Sequence, residues 1–145
     1  MLIQLLLASL MVVVCVLVHL FGLTFAMHLL RLRQRVLPGP RSTPLPLLLG
    51  ASLGVFAVHT VEIWLYALLY RAVGLFAHFE EALYFSTVTY ATIGYGDLTL
   101  SHDWRVLGAI EGVTGIIMLG WSTAFLVSLL TRLKLLSHDW LTPLE

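Results

Sequence analysis

Long apolar blocks dominate the chain and divide it into segments of membrane size. Three such blocks occur, at about 2–30, 45–70 and 106–130. The first contains no charged residue, and each of the others contains one, Glu62 and Glu111 respectively. A helix crosses the hydrocarbon part of a bilayer with about 20 residues. The pattern therefore predicts an all-α membrane protein with three transmembrane helices, at 1–30, 45–72 and 104–133.

A shorter apolar segment lies between the second and third blocks. This segment, "FEEALYFSTVTYA" at 79–91, is too short to span as a helix, at roughly 20 Å. Glu80 and Glu81 stand at its start, where the helix dipole favours anions. The next residues, "TIGYGD" at 92–97, are polar and contain two glycines. Irregular backbone survives at membrane depth only when it is buried in protein or lines an aqueous cavity, so we expect a re-entrant half-helix followed by such a segment.

Basic residues set the expected orientation. Arg31, Arg33, Arg35 and Arg41 lie between the first two predicted spans, within "RLRQRVLPGPRSTP". The prolines and the glycine of this stretch predict a loop. Basic residues favour the cytoplasmic side, so the N-terminus is expected outside and the re-entrant segment enters from the outer face. The expected divisions are a helix at 1–30, a cytoplasmic loop at 31–44, a pore domain at 45–134 and a cytoplasmic tail at 135–145.

Composition supports a membrane protein and excludes several other classes. The chain of 145 residues is 59% hydrophobic and only 11% charged, where a soluble domain carries roughly a quarter charged residues. The formal net charge is zero, which gives no reason to expect a nucleic-acid partner. Cys15 is the single cysteine, so no internal disulfide can form, and we expect a buried, inert thiol. The first apolar block is longer than a signal-peptide core and lacks a basic start, so we expect it to be retained.

The segment "TIGYGD" has the chemistry of a cation filter. Stripping water from a cation requires a row of carbonyl oxygens that point to one axis. Alternating left-handed backbone conformations bring successive carbonyls to one side, and Gly94 and Gly96 adopt them at little cost. This segment resembles the selectivity filter of potassium channels, and about 55–131 resembles the helix, pore loop and helix of small bacterial members of the two-transmembrane potassium channel superfamily.

The resemblance implies a function and a residue assignment. It implies passive, K⁺-selective conduction by a homotetramer in a bacterial cytoplasmic membrane, since one pore loop cannot surround an ion. K⁺ would bind at Thr92, Ile93, Gly94 and Tyr95, with Gly96 completing the filter and Asp97 placing negative charge at its outer mouth. The implied parts are an outer helix at 45–72, a pore helix at 79–91, a filter at 92–97 and an inner helix at 104–133. A non-selective cation channel and a non-conducting membrane scaffold or regulatory subunit remain as alternatives, and an enzyme or an organic cofactor is not expected.

The inner helix carries a candidate hinge and cavity lining. Gly115 matches the hinge glycine of the family, while the alternative for this glycine is close helix packing through a small residue. Ile116, Leu119 and Thr123 lie on one helical face with it and would face the cavity.

Several residues depart from the family pattern. Ala91 stands where many members have a second threonine, Val88 where one bacterial branch has a glutamate that bonds to the filter aspartate, and Phe85 where voltage-gated members have tryptophan. Fewer side chains are therefore expected to hold Asp97 and the filter in place by hydrogen bonds. The first span lacks an arginine ladder, which argues against voltage sensing, and its arginines are better explained as topology anchors in contact with anionic lipid.

Glu62 and Glu111 are costly inside a bilayer and are therefore functional candidates. We hypothesise that they replace the missing filter supports by hydrogen bonds to pore-helix hydroxyls. The candidate partners are Tyr84, Thr87, Thr89 and Tyr90. The alternative is a pair of protonated, satisfied structural carboxyls. The histidines other than His59, which lies three residues before Glu62, show no metal-ligand spacing, so the sequence predicts no metal centre besides the K⁺ sites.

Overall fold

The computed structural model of the protein describes residues 1–36 and 45–133, and these form four helices without a strand. In chain order the helices are α1 (Leu2–Val36), α2 (Leu45–Ala72), α3 (Phe79–Tyr90) and α4 (Arg105–Arg132). Three of them, α1, α2 and α4, are long and apolar enough to cross a membrane. Helix α3 has 12 residues and is about 18 Å long, too short to do so. The expected all-helical membrane fold is confirmed.

Helix α1 extends beyond its predicted end. The sequence predicted a helix at 1–30 and a loop at 31–44, but the helix continues to Val36. That boundary was wrong because leucine, arginine and glutamine are good helix formers and the first proline comes only at residue 38. The rest of the predicted loop and the predicted tail at 135–145 lie outside the described residues. Tyr90 and Arg132 end α3 and α4 within one residue of the predicted positions.

Helix α1 packs against α2 and α4 through one buried stripe. The buried residues of α1 recur at intervals of three or four and are Gln4, Ala8, Met11, Cys15 and His19. This interval places them on one face of the helix. The opposite face exposes large apolar side chains such as Phe21 and Phe25, as expected for a surface in contact with lipid.

Small residues bring α1 and α2 close together. A Cβ atom on Gly54 would lie 3.0 Å from the Cβ atom of Ala26, and one on Gly22 would lie 2.5 Å from a methyl carbon of Val58. Glycine and alanine at such contacts let helix backbones approach within a bilayer. Helix α1 therefore packs closely along α2 of the same chain.

The short helix α3 is held between α2 and α4. Its inward side chains include Ala82, Phe85, Val88 and Tyr90, which are buried. The Phe85 ring lies 5.3 Å from the Tyr70 ring of α2, measured between centroids, in an edge-to-face arrangement. This packing fixes the end of α3 at which the glycine-containing segment begins.

Candidate functional site

The backbone after α3 is tied to the last turn of that helix. Ile93 and Gly94 both donate their N–H groups to the Val88 carbonyl, at 2.8 and 3.1 Å. The Thr92 N–H donates to the Thr89 carbonyl at 2.9 Å. These bonds use carbonyls that a helix C-terminus otherwise leaves unpaired. They also fix where the irregular segment starts relative to α3.

Residues 92–96 alternate in backbone handedness. Thr92, Gly94 and Gly96 have positive φ values of 59°, 55° and 76°, whereas Ile93 and Tyr95 do not. A positive φ costs a non-glycine residue roughly 1–2 kcal/mol, so Thr92 stores strain that the surrounding bonds must offset. The sequence predicted the left-handed conformation at the two glycines but not at Thr92.

The alternation leaves a row of carbonyl groups without hydrogen-bond donors. Within the described parts of the chain, no backbone or side-chain group donates to the carbonyls of residues 92–96. All six residues from Thr92 to Asp97 are exposed on the single chain, and the Tyr95 side chain is 69% exposed. Unpaired carbonyl oxygens are strong acceptors that require a partner. This arrangement presents unpaired acceptor oxygens at the chain surface, and such oxygens have the chemistry that a cation ligand requires.

Asp97 has one support from α3. The Tyr84 hydroxyl donates to Asp97 Oδ2 at 2.7 Å, and the Leu98 N–H donates to Oδ1 at 3.1 Å. The bond from Tyr84, and then the backbone bond, lower the pKa of the Asp97 carboxyl below its ordinary value of 3.8. The negative charge of Asp97 is therefore kept over the whole neutral and mildly acidic range.

We expect Tyr84→Phe to raise the pKa of Asp97 toward 3.8, because the phenol stabilises the charged carboxylate more than the neutral carboxyl. Because the pKa of Asp97 is lowered in the folded protein, the bond from Tyr84 contributes its full stabilisation above the ordinary pKa. This stabilisation is lost as the pH falls through the lowered pKa. Carboxyl NMR titration of the labelled protein in nanodiscs measures this shift. Tyr66→Phe is the control, since the Tyr66 hydroxyl lies 3.4 Å from that of Thr114. An unchanged Asp97 titration in Tyr84→Phe would contradict the assignment.

Glu111 joins α2, α3 and α4 in a cluster with Tyr70 and Ser86, here called the Glu111 cluster. The Tyr70 hydroxyl donates to Glu111 Oε2 at 2.5 Å, and Ser86 Oγ lies 2.5 Å from Oε1. The Ser86 hydroxyl also lies 2.9 Å from the Ile63 carbonyl. The three side chains are fully buried. Glu111 thus contacts a pore-helix hydroxyl, but that of Ser86 and not one of those expected.

Glu62 joins all four helices in a second cluster, here called the Glu62 cluster. Tyr90 of α3 donates to Glu62 Oε2 at 2.5 Å, as the sequence hypothesis anticipated. His19 of α1 and His59 of α2 place their Nδ1 atoms 3.0 Å from Oε1 and Oε2. Both histidines face Ser122 of α4, whose Oγ lies 2.9 Å from His59 Nε2 and 3.4 Å from His19 Nε2.

The other proposed supports have different partners. The Thr87 hydroxyl donates to the Leu83 carbonyl within α3 at 2.7 Å, and Tyr84 bonds to Asp97. Neither contacts Glu62 or Glu111 through a hydrogen bond. Sequence reasoning missed His19 and Ser122, because 43 residues separate His19 from Glu62 and no local spacing relates them. The available signal was a histidine in an uncharged span, where a polar side chain needs a partner.

Gly115 on α4 lies against the end of α3. A Cβ atom there would lie 2.0 Å from the Tyr90 carbonyl oxygen, so only glycine fits this contact. The exposed residues Ile116, Leu119 and Thr123 follow along one strip of α4, and the Thr123 hydroxyl donates to the Leu119 carbonyl. The close-packing alternative therefore explains Gly115 directly, while a hinge at this position stays a prediction.

Three helices of spanning length define a multi-pass membrane protein. Between the last two lie a half-helix and a strained backbone segment whose carbonyls accept no hydrogen bond within the described residues, as in proteins of the pore-loop type. A family model described as "Ion channel" matches residues 55–132, more than half of the chain. The chain therefore belongs to this ion channel family, and α1 is an addition to the matched region. No curated protein and no solved structure matches the chain.

Proposed function

We propose that the protein is a potassium-selective channel that conducts K⁺ passively through a fourfold filter formed by residues 92–96 of four identical chains. The observation that carries the proposal is the alternating backbone of this segment, whose carbonyls lack donors within the described chain. Such carbonyls can replace the hydration shell of K⁺. Thr92, Ile93, Gly94 and Tyr95 provide the K⁺ ligands, and no catalysis or organic cofactor is needed.

The shape of the single chain supports assembly into a tetramer. The filter lies on its surface, with no atom within 4 Å of a Cβ position on Gly94 or Gly96. Four copies around one axis would enclose the ion on all sides and cover this surface. The C-terminal ends of the four α3 helices would then point to the axis, where their partial negative charge stabilises a cation. Ile116, Leu119 and Thr123 would line the cavity below the filter.

The proposed location is the cytoplasmic membrane of a bacterium, with the N-terminus outside and the C-terminus inside. The positive-inside rule supports this orientation, because Arg31 in α1 and Arg132 at the end of α4 then lie on the cytoplasmic side, where they can contact anionic lipid. Asp97 then lies at the outer mouth of the filter, where its charge attracts cations.

We expect Gly94→Ala to abolish K⁺ and Rb⁺ flux into liposomes, because alanine resists the φ of 55° that positions the filter carbonyls. Gly74→Ala is the matched control. Gly74 has a φ of 78° and equally free surroundings, but it lies in the turn after α2. Both variants carry a similar backbone strain, and only one carries it in the filter.

The flux assay also separates the alternatives. Wild-type liposomes that pass Na⁺ as readily as K⁺ in bi-ionic reversal measurements would indicate a non-selective cation channel. Absence of flux at every voltage and pH tested, in protein that assembles, would indicate a scaffold or regulatory subunit. Equal flux from Gly94→Ala and Gly74→Ala would refute the role of the filter backbone.

A further inference from the structure

The geometry points to a transition-metal site of the Zn²⁺ type in the Glu62 cluster, with His19, His59, Glu62 and Tyr90 as ligands. Each of His19, His59 and Glu62 offers one ligand atom within 4.8 Å of those of the other two. These residues come from two helices, and all are buried. The site is separate from the proposed K⁺ filter, and its existence does not depend on conduction.

The side chains are oriented as metal ligands. Nδ1 of each histidine faces a different oxygen of the Glu62 carboxylate, at 3.0 Å in both cases. The Tyr90 oxygen lies 3.2 Å from His59 Nδ1 and 2.5 Å from Glu62 Oε2, so it belongs to the same donor group. Donor atoms around a tetrahedral Zn²⁺ are about 3.4 Å apart. Binding therefore requires small side-chain rotations and no change of fold.

Ser122 provides the outer contact that metal-binding histidines need. Both Nε2 atoms face its Oγ, at 2.9 and 3.4 Å. A hydroxyl oxygen has two lone pairs and can accept a hydrogen bond from each Nε2–H group. With that tautomer both Nδ1 lone pairs are directed at carboxylate oxygens, so a metal cation or a proton must lie between them. A ligand histidine held through its other ring nitrogen is the usual second contact of a metal site.

The ligand types and their charges select the metal class. Two imidazoles with two oxygen donors suit Zn²⁺ and related borderline ions, whereas Ca²⁺ and Mg²⁺ prefer oxygen donors alone. If Tyr90 binds as phenolate, its charge and that of Glu62 balance the two positive charges of the ion. The Tyr90 proton and the proton otherwise shared by the cluster leave when the ion enters. A neutral centre avoids the cost of a buried net charge.

The site would connect α1 to the filter. His19 is its ligand from α1, and Tyr90 lies two residues before Thr92. The Tyr90 carbonyl also forms the contact with Gly115 on α4. A bound ion would therefore fix the first span, the outer helix and the end of α3 in one arrangement.

Metal content tests the site without any measurement of current. The full chain, purified with a tag that contains no histidine from cells grown with added zinc, should retain about one Zn²⁺ per chain by mass spectrometry. Protein stripped by chelator and reloaded with Co²⁺ should show the strong visible absorption of a tetrahedral ion. Ser122→Ala should weaken zinc affinity by about 10–100-fold.

Glu62→Gln is the decisive variant, because it removes the anionic ligand while the cluster can remain hydrogen-bonded. The amide N–H can donate to one Nδ1, and the amide oxygen can accept from the other histidine and from Tyr90. We expect this variant to assemble and to lose both the zinc and the cobalt spectrum. We expect His19→Asn likewise to assemble and to lose the zinc and the cobalt spectrum. His28→Asn is its control and should keep both, since His28 lies on the exposed face of α1.

Two results would overturn the site. Wild-type protein that carries no more metal than Glu62→Gln and gives no tetrahedral cobalt spectrum would show that the cluster holds only a shared proton. Zinc retained equally by His19→Asn and His28→Asn would place the metal elsewhere. Size-exclusion chromatography and circular dichroism of each variant separate lost metal from lost folding.

Discussion

Gly115→Ala should prevent α4 from packing against the end of α3 and so destroy a stable channel. The added Cβ atom would lie 2.0 Å from the Tyr90 carbonyl oxygen and 2.9 Å from the carbonyl carbon. Both are backbone atoms, and the Tyr90 side chain is itself held by Glu62, so neither can move aside cheaply. Overpacking typically costs 1–3 kcal/mol, and we expect about 3 kcal/mol or more here. Thermal unfolding in detergent and the yield of assembled protein measure the loss.

Gly120→Ala is the matched control on the same helix. Gly120 is exposed, and a Cβ atom there would meet no atom within 4 Å. Alanine should therefore leave stability unchanged or raise it slightly through helix propensity. A hinge role for Gly115 gives a different outcome: its alanine variant would fold with normal stability and change only the opening of the channel. That outcome would contradict the packing explanation.

Glu111→Ala should destabilise the protein strongly, whereas Glu111→Gln should not. Alanine leaves the buried Tyr70 hydroxyl without an acceptor and opens a cavity beside Ser86, at a cost of about 3 kcal/mol. Glutamine can reproduce all three hydrogen bonds. Its oxygen accepts from Tyr70, its N–H donates to Ser86, and Ser86 donates to the Ile63 carbonyl at 2.9 Å.

The comparison of the two variants also reports the protonation of Glu111. Ser86 has one hydrogen to donate but lies close to two oxygens, the Ile63 carbonyl and Glu111 Oε1. If Ser86 donates to Ile63, the Glu111 carboxyl must itself be protonated to complete the bond to Ser86. Unfolding temperatures near wild type for Glu111→Gln and well below it for Glu111→Ala would support a neutral carboxyl. Strong destabilisation by glutamine would show instead that the charged form is required.

The sequence predicts where the helices begin and end better than it predicts which side of each helix packs against the others. Hydropathy and length located α2, α3 and α4 within one residue, because transfer into a bilayer depends on composition over about 20 residues. The predicted end of α1 was wrong because the change of polarity at Arg31 does not end the helix, which continues to Val36. Rotation about a helix axis depends on tertiary contacts, which hydropathy does not measure.

Glu62 and Glu111 show which parts of the site could be predicted from the sequence and which could not. The cost of a carboxylate in a bilayer indicated both residues, and Tyr90, one of four candidate partners for either of them, bonds to Glu62. Ser86 was not named for Glu111, because helical position alone did not distinguish it from its neighbouring hydroxyls. His19 could not be paired from sequence spacing, since its contact with Glu62 depends on how α1 lies against α2. The left-handed Thr92 also depends on the bonds at the end of α3 and not on its own preference.

The bond between His19 and Glu62 has a mechanical consequence for α1. An apolar helix in a bilayer normally adjusts to changes of membrane thickness by tilting or sliding. A shift of α1 by one residue would turn His19 by about 100° and move it by about 1.5 Å, out of reach of Glu62. The contact between His19 and Glu62 therefore opposes both sliding and rotation of α1. Stress that a thinner or thicker bilayer places on α1 would therefore pass through His19 to Glu62 on α2 and to Tyr90, two residues before Thr92.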